Sequence, residues 1–257
     1  GFTAITGVNT LFNALLNHPA FQDVDFSKLK LALSGGMALQ KNVALKWEEI
    51  THSRVLEAYG LTETSPAVTI NPLCLKHYNG SIGLPVPSTD VSIRDAEGKE
   101  VPLGDPGELC VKGPQVTEGY WNQPTETALI FWEDGYLRTG DIVIMDKEGF
   151  IYLVDRKKDM ILVSGFNVYP NEVEQVISMM PGVLEVGVVG VMDETNSTER
   201  VKACIVKKDP ALSQDDVIAF TREHLTAYKV PKIVAFYNEL PKTNVGKILR
   251  RALKALP

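Results

Sequence analysis

Five short segments carry residue types that could do chemistry together. Tyr59, Gly60, Thr62 and Glu63 stand in YGLTE at 59–63, Asp141 closes RTGD at 138–141, and Arg156 lies in DRKKD at 155–159. Gly165 and Phe166 open GFNVYP at 165–170, and Lys247 sits inside PKTNVGKILRR at 241–251. A tyrosine ring stacks on a nucleobase, a contact worth about 1–3 kcal/mol. Thr62 offers a hydroxyl to a phosphate oxygen, and Glu63 offers Mg²⁺ a hard oxygen ligand. The Asp141 carboxylate can accept two hydroxyls at once, as a ribose diol demands. Arg156 presents a planar, permanently charged fork to phosphate or ribose oxygens. Gly246 makes the loop around Lys247 deformable, so its ammonium could swing into a distant site. These are the parts needed to hold ATP while a carboxylate attacks its α-phosphate. In that reaction pyrophosphate leaves and an acyl-adenylate forms, which calls for a cation near the α-phosphate and a bound Mg²⁺.

Taken singly, each segment also has an ordinary account. Tyr59 could be a half-buried ring in a turn, and Asp141 could cap its own backbone after Gly140. Arg156 could pair at the surface with Asp155 or Asp159. Lys247 could be a lysine at a helix start. The segment ending in Lys247 is no P-loop, because position 241 is Pro and Ile248 stands where a magnesium-holding Ser or Thr would be.

The elements that must position these residues fall into three textures. Up to residue 59 helix and strand alternate: Leu11, Leu15 and Leu16 recur at helical spacing, and residues 28–33 read as a strand ending at Ser34-Gly35-Gly36. Residues 40–51 read as a helix with Val43, Ala44 and Trp47 on one face, and 55–59 as a strand. This pattern predicts a parallel α/β layer over residues 1–78, with ligand-binding loops at the carboxyl ends of its strands. Over 79–154, short strands at 91–94, 108–112, 142–145 and 151–154 alternate with Gly and Pro turns, including Glu97-Gly98 and Glu148-Gly149. They predict a small antiparallel sheet or barrel-like subdomain. From residue 158 the texture is α+β. A strand spans 160–163, Pro170 opens a helix to about 180, and 183–191 and 201–206 are β-rich. Ser213 caps a helix reaching His224, with Asp215 and Asp216 in its first turn. Ile248, Leu249, Ala252, Leu253 and Leu256 predict one apolar stripe on a final helix.

Composition narrows the class. The 257 residues are 44% hydrophobic and 23% charged, as expected of a globular chain. A net charge of -6 argues against nucleic acid as a partner. The three cysteines, Cys74, Cys110 and Cys204, form no CxxC pair, which predicts free thiols in a reducing cytoplasm. The apolar run near 186–192 is far shorter than the ~20 residues a bilayer crossing needs. The basic residues after Pro241 are the sole feature that would suit peripheral association with the inner membrane. Asn196-Ser197-Thr198 matches a glycosylation sequon but reads as a surface loop. Nothing in the sequence speaks to oligomeric state or acyl chain length.

In order and flanks, these segments resemble the adenylate-forming superfamily of acyl-CoA synthetases, luciferases and peptide-synthetase adenylation domains. DRKKDMILVSGFNVYPNEVE at 155–174 and LPKTNVGKILRRALK at 240–254 look like the bacterial long-chain fatty-acid–CoA ligases, and SGGMAL at 34–39, GSIGLPVPSTD at 80–90 and GELCVKGPQVTEGYWNQP at 107–124 agree. The resemblance implies the end of a large N-terminal α/β domain (residues 1–157) followed by a small mobile α+β lid (158–257). It implies that Gly35, Gly36, Tyr59 and Gly60 line an adenine pocket, that Thr62 and Glu63 serve phosphate and Mg²⁺, and that Asp141 and Arg156 hold the ribose. Lys158 would be the hinge. Lys247 would bridge the acyl carboxylate and the α-phosphate, and Gly165 and Phe166 would enter after lid rotation to admit coenzyme A. The implied substrates are a fatty acid, ATP and coenzyme A. The family's Ser/Thr/Gly-rich phosphate loop does not occur in these residues, so the expectation is a partial enzyme without adenylation activity of its own. Two readings compete: a non-catalytic remnant or binding module, and a related adenylating enzyme that delivers acyl groups to a carrier protein.

Overall fold

The computed structural model describes residues 1–193, 198–244 and 246–256. The sequon at 196–198 begins outside these residues. The chain divides into two compact units, Gly1–Lys157 and Lys158–Pro257.

In the first unit, β1 (Ala4–Gly7), α1 (Asn9–Leu16), β2 (Leu31–Gly35), α2 (Lys41–Thr51) and β3 (Val55–Gly60) form a parallel βαβαβ run. β4 (Ala67–Ile70) and β5 (Leu84–Pro85) continue the same sheet antiparallel, in the order β1-β2-β3-β4-β5. The α/β sheet therefore extends to Pro85, past the expected end at residue 78. α2 forms where Val43, Ala44, Trp47 and Thr51 repeat at helical spacing and are all buried. It stops at His52, whose φ of 55° ends the helical path. Trp47 meets Phe12 edge-on at 4.8 Å and Phe21 at 5.3 Å, and these rings centre the first core. β2 begins three residues later than expected, because residues 26–29 close a turn through the Leu29 N–H and the Phe26 carbonyl.

β6 (Asp90–Arg94), β7 (Gly107–Lys112), β8 (Leu137–Met145) and β9 (Ile151–Arg156) make an antiparallel sheet in sequence order, with α3 (Pro124–Leu129) between β7 and β8. The sheet is open, so the barrel alternative is corrected: β6 and β9 do not pair, and alternate residues such as Leu109, Val111, Val143 and Ile151 bury one face.

Glu57 interrupts the apolar run of β3. It is 7% exposed, sits opposite Ser34 in register, and accepts the Leu39 N–H at 3.2 Å through Oε1. Burial pushes its carboxyl up to about 8 from 4.5, more than the Leu39 hydrogen bond pulls it down. Between those values the folded chain holds a proton that the unfolded chain has released, so stability falls as pH rises through that window. Glu57→Gln should remove on the order of 3 kcal/mol of stability loss between pH 5 and pH 8. Urea denaturation at both pH values measures it, and an unchanged pH slope in the variant would assign the effect to another group.

In the second unit, β10 (Ile161–Val163) and β11 (Phe166–Val168) form a hairpin. α4 (Pro170–Ser178) follows with Pro170 at its first position. β12 (Val183–Asp193) pairs antiparallel with β13 (Thr198–Lys207). α5 (Gln214–His224) starts at Ser213, whose hydroxyl accepts the Asp216 N–H while Asp216 accepts the Ser213 N–H. β14 (Ile233–Tyr237) lies parallel to β13. β13 feeds two cores: Val201, Ala203 and Ile205 face Val173, Ile177 and Val217, while Cys204 and Val206 pack with Leu240 and Leu253. The expected final helix is only one turn, α6 (Arg250–Leu253). Ile248 instead bridges Lys242 in extended form, and Leu249 caps the helix, so the apolar stripe lies on two kinds of backbone. Arg250 anchors this end to Asn171 at 2.6 Å, Glu174 at 2.9 Å and Asp159 at 3.3 Å.

Candidate functional site

The first unit brings together three of the expected residues. Tyr59 is the penultimate residue of β3. Its hydroxyl donates to Asp141 Oδ2 at 2.5 Å, across 82 positions of sequence. Arg156, opposite Asp141 in the β8–β9 register, places Nε 3.2 Å from Oδ1. Arg156 thus pairs with Asp141, a partner its local sequence does not suggest. Asp155 accepts the Arg156 backbone N–H at 2.7 Å. Burial first, then the negative charge of Asp141, raises the Tyr59 phenol well above its usual range, so it stays protonated and donates.

RTGD is not a terminal turn. It lies inside β8, where the β7 register jumps from Glu108↔Ile142 to Cys110↔Arg138, leaving a bulge. Gly140 supplies the bulge with a φ of 72°. Thr139 Oγ1 donates to the Leu109 carbonyl at 2.8 Å and accepts the Asp141 N–H at 3.1 Å. The buried Glu108 accepts the Gly140 N–H at 3.1 Å, and Arg138 and Lys157 face its other oxygen at 3.4 and 3.5 Å. Asp141, 2% exposed, is therefore fixed on all sides, while half of the Arg156 side chain stays exposed. A carboxylate has about four lone-pair sites, so one buried acceptor can serve several donors at once. Glu108 escaped the sequence reading, although a carboxylate within the buried strand GELCV is itself a signal.

Gly35 stands opposite Ala58 at the carboxyl end of β2, followed by Gly36 with a φ of 77°. Gly60 is required sterically: a Cβ there would fall 1.7 Å from the Pro66 carbonyl oxygen. That close approach folds the chain back so that the Leu61 N–H reaches Pro66 O at 3.0 Å, and Thr62–Thr64 forms a short 3₁₀ turn. Thr62 is exposed and Glu63 half-buried on this turn. Glu63 Oε1 accepts the Tyr120 hydroxyl at 2.7 Å, a partner the sequence reading missed. Among the described residues no cluster of three His, Cys, Asp or Glu forms a metal cage. One carboxylate beside a hydroxyl fits Mg²⁺, which keeps several waters and shares its coordination with phosphates.

In the second unit, Lys158 is exposed on the turn that opens it. Ser164 (φ 49°) and Gly165 (φ 86°) form the two-residue turn of the β10–β11 hairpin, both left-handed as such turns demand. Nothing lies within 4 Å of a Cβ built on Gly165, so conformation rather than crowding calls for glycine. Phe166, 55% exposed, stacks on Tyr228 at 4.8 Å. Lys247 is not at a helix start. It sits on the return arm of a tight turn, where the Thr243 N–H meets its carbonyl at 2.8 Å and its own N–H meets Thr243 Oγ1 at 3.2 Å.

The sequence pattern of AMP-binding enzymes matches residues 1–121, and that of the AMP-binding enzyme C-terminal domain matches residues 172–247. The chain belongs to the AMP-binding enzyme family. Among its relatives, a long-chain-fatty-acid–CoA ligase of Yersinia pestis is 60% identical over 98% of this chain and 45% of its own length. The enzyme of the same name from Bacillus subtilis is 46% identical over the same shares. The chain thus spans under half the length of these curated relatives. Of solved structures, ATP-bound MatB from Rhodopseudomonas palustris matches with a TM-score of 0.92 at 35% identity, over 98% of this chain and 50% of that one. The anthranilate CoA ligase AuaEII in complex with anthranoyl-AMP matches with a TM-score of 0.90 at 30% identity, over 98% and 49%.

Proposed function

We propose that the protein carrying this chain is a long-chain fatty-acid–CoA ligase. It activates a fatty acid with ATP to an acyl-adenylate, then transfers the acyl group to coenzyme A. The observation that carries this reading is the buried Asp141 carboxylate, gripped by Tyr59 and Arg156 in the form a ribose diol needs. The Tyr59 ring stacks on adenine, with Gly35, Gly36 and Gly60 keeping the neighbouring backbone low. Thr62 contacts a phosphate and Glu63 holds Mg²⁺, which screens phosphate charge when bound. Lys247 neutralises the attacking carboxylate and the α-phosphate in the first half-reaction. The unit from Lys158 onward acts as a lid that turns about Lys158, exchanging Lys247 for Gly165 and Phe166 so that the coenzyme A thiol reaches the adenylate. The long-chain substrate rests on the names of the 46–60% identical relatives. No helix among the described residues is long and apolar enough to cross a membrane. We place the enzyme in the cytoplasm, with peripheral contact at the inner membrane where its lipid substrate is held.

The test is acid-dependent exchange of labelled pyrophosphate into ATP, followed by thioester formation with free coenzyme A. A full-length protein carrying this chain should perform both with long-chain acids. The 257-residue chain alone should perform neither, since no Ser/Thr/Gly-rich phosphate loop is present in its sequence. Adenylation without transfer to free coenzyme A would favour delivery to a carrier protein, and no adenylation by the full-length protein would favour a binding module.

A further inference from the structure

The short turn that carries Glu63 is held at two points by one distant segment. The Thr117 N–H donates to the Glu63 carbonyl at 2.7 Å, and the Tyr120 hydroxyl donates to Glu63 Oε1 at 2.7 Å. That segment is itself fixed. Thr117 Oγ1 bridges to Gly119, and the Tyr120 N–H donates to Thr127 Oγ1 at 2.9 Å, locking it to α3. A Cβ on Gly119 would lie 2.5 Å from Thr127 Cγ2, so this approach is close by construction. Tyr120 is 40% exposed, and a hydrogen bond at so wet a site adds little to folding. What it does is remove the rotational freedom of one carboxylate.

We propose that Tyr120 is a positioning residue for the metal: by pinning Oε1 of Glu63, it presents Oε2 in one fixed direction to a divalent cation shared with the nucleotide phosphates. The inference rests on the reading of Glu63 as the Mg²⁺ ligand. Mg²⁺ tolerates little departure from octahedral geometry, so a ligand already oriented is worth more to it than a mobile one. Partners that orient a metal ligand carry about 10–100-fold in metal affinity.

Mn²⁺ binding, followed by electron paramagnetic resonance, is measured on a full-length protein carrying this chain in the presence of α,β-methylene-ATP. Tyr120→Phe should weaken Mn²⁺ about tenfold. Glu63→Gln should weaken it at least as much, and adding Tyr120→Phe to Glu63→Gln should cost nothing further. Unchanged Mn²⁺ affinity in Tyr120→Phe, with Glu63→Gln still weakened, would overturn the positioning role and leave the Glu63 reading intact. Unchanged affinity in Glu63→Gln would overturn both.

Discussion

Lys247→Ala in a full-length protein carrying this chain should lower acyl-adenylate formation by at least about 10²-fold, the usual cost of removing a group that stabilises transition-state charge. The same variant should convert preformed acyl-adenylate and coenzyme A to thioester at a near-normal rate. The asymmetry follows from placement. The Lys247 backbone is held by Thr243 on both its N–H and its carbonyl, and Ile248 bridges Lys242. Four methylenes leave the ammonium mobile beyond this backbone. Truncation at Cβ removes the charge without touching these backbone bonds, so the lid should fold unchanged. Rapid-quench measurement of each half-reaction separates the outcomes. Equal losses in both would contradict a lysine that serves adenylation and then withdraws.

Asp141→Ala should weaken ATP binding by about 10²-fold or more, because two hydroxyl bonds to a charged acceptor are each worth about 1.5–3 kcal/mol. The loss has a second source, since the Tyr59 hydroxyl and the Arg156 fork both lose their acceptor. The wild type should also prefer ATP over its 2′,3′-dideoxy analogue, and Asp141→Ala should erase that preference. Calorimetric titration of both nucleotides provides the comparison. A variant that still discriminates against the dideoxy form would show the diol bound elsewhere.

The periodic parts of the fold were legible in the sequence because local chemistry and burial agree there. Val43, Ala44 and Trp47 announce the buried face of α2, and Ser213 with Asp216 announces the start of α5. The misreadings fall where tertiary contacts override local pattern. The glycine of RTGD suggests a turn, yet β7 on one side and β9 on the other hold it as a bulge within a nine-residue strand. Ile248 and Leu249 have helical spacing with Leu253, but the bridge to Lys242 keeps Ile248 extended. Within the candidate site, residue types were readable and partnerships were not. No spacing rule links Tyr59 to Asp141 or Tyr120 to Glu63, because these pairs meet only when separate segments fold together. Glu57 also could not be placed as a buried acid, since the groups that meet it, from Leu39, Asn71 and Tyr78, come from distant positions in the sequence.

The most direct measurement is a crystal structure of a full-length protein carrying this chain with an acyl-adenylate bound. The account predicts both ribose hydroxyls within about 3 Å of the Asp141 carboxylate, Arg156 alongside, and adenine against the Tyr59 ring. An adenylate seated away from Asp141 and Arg156 would contradict it.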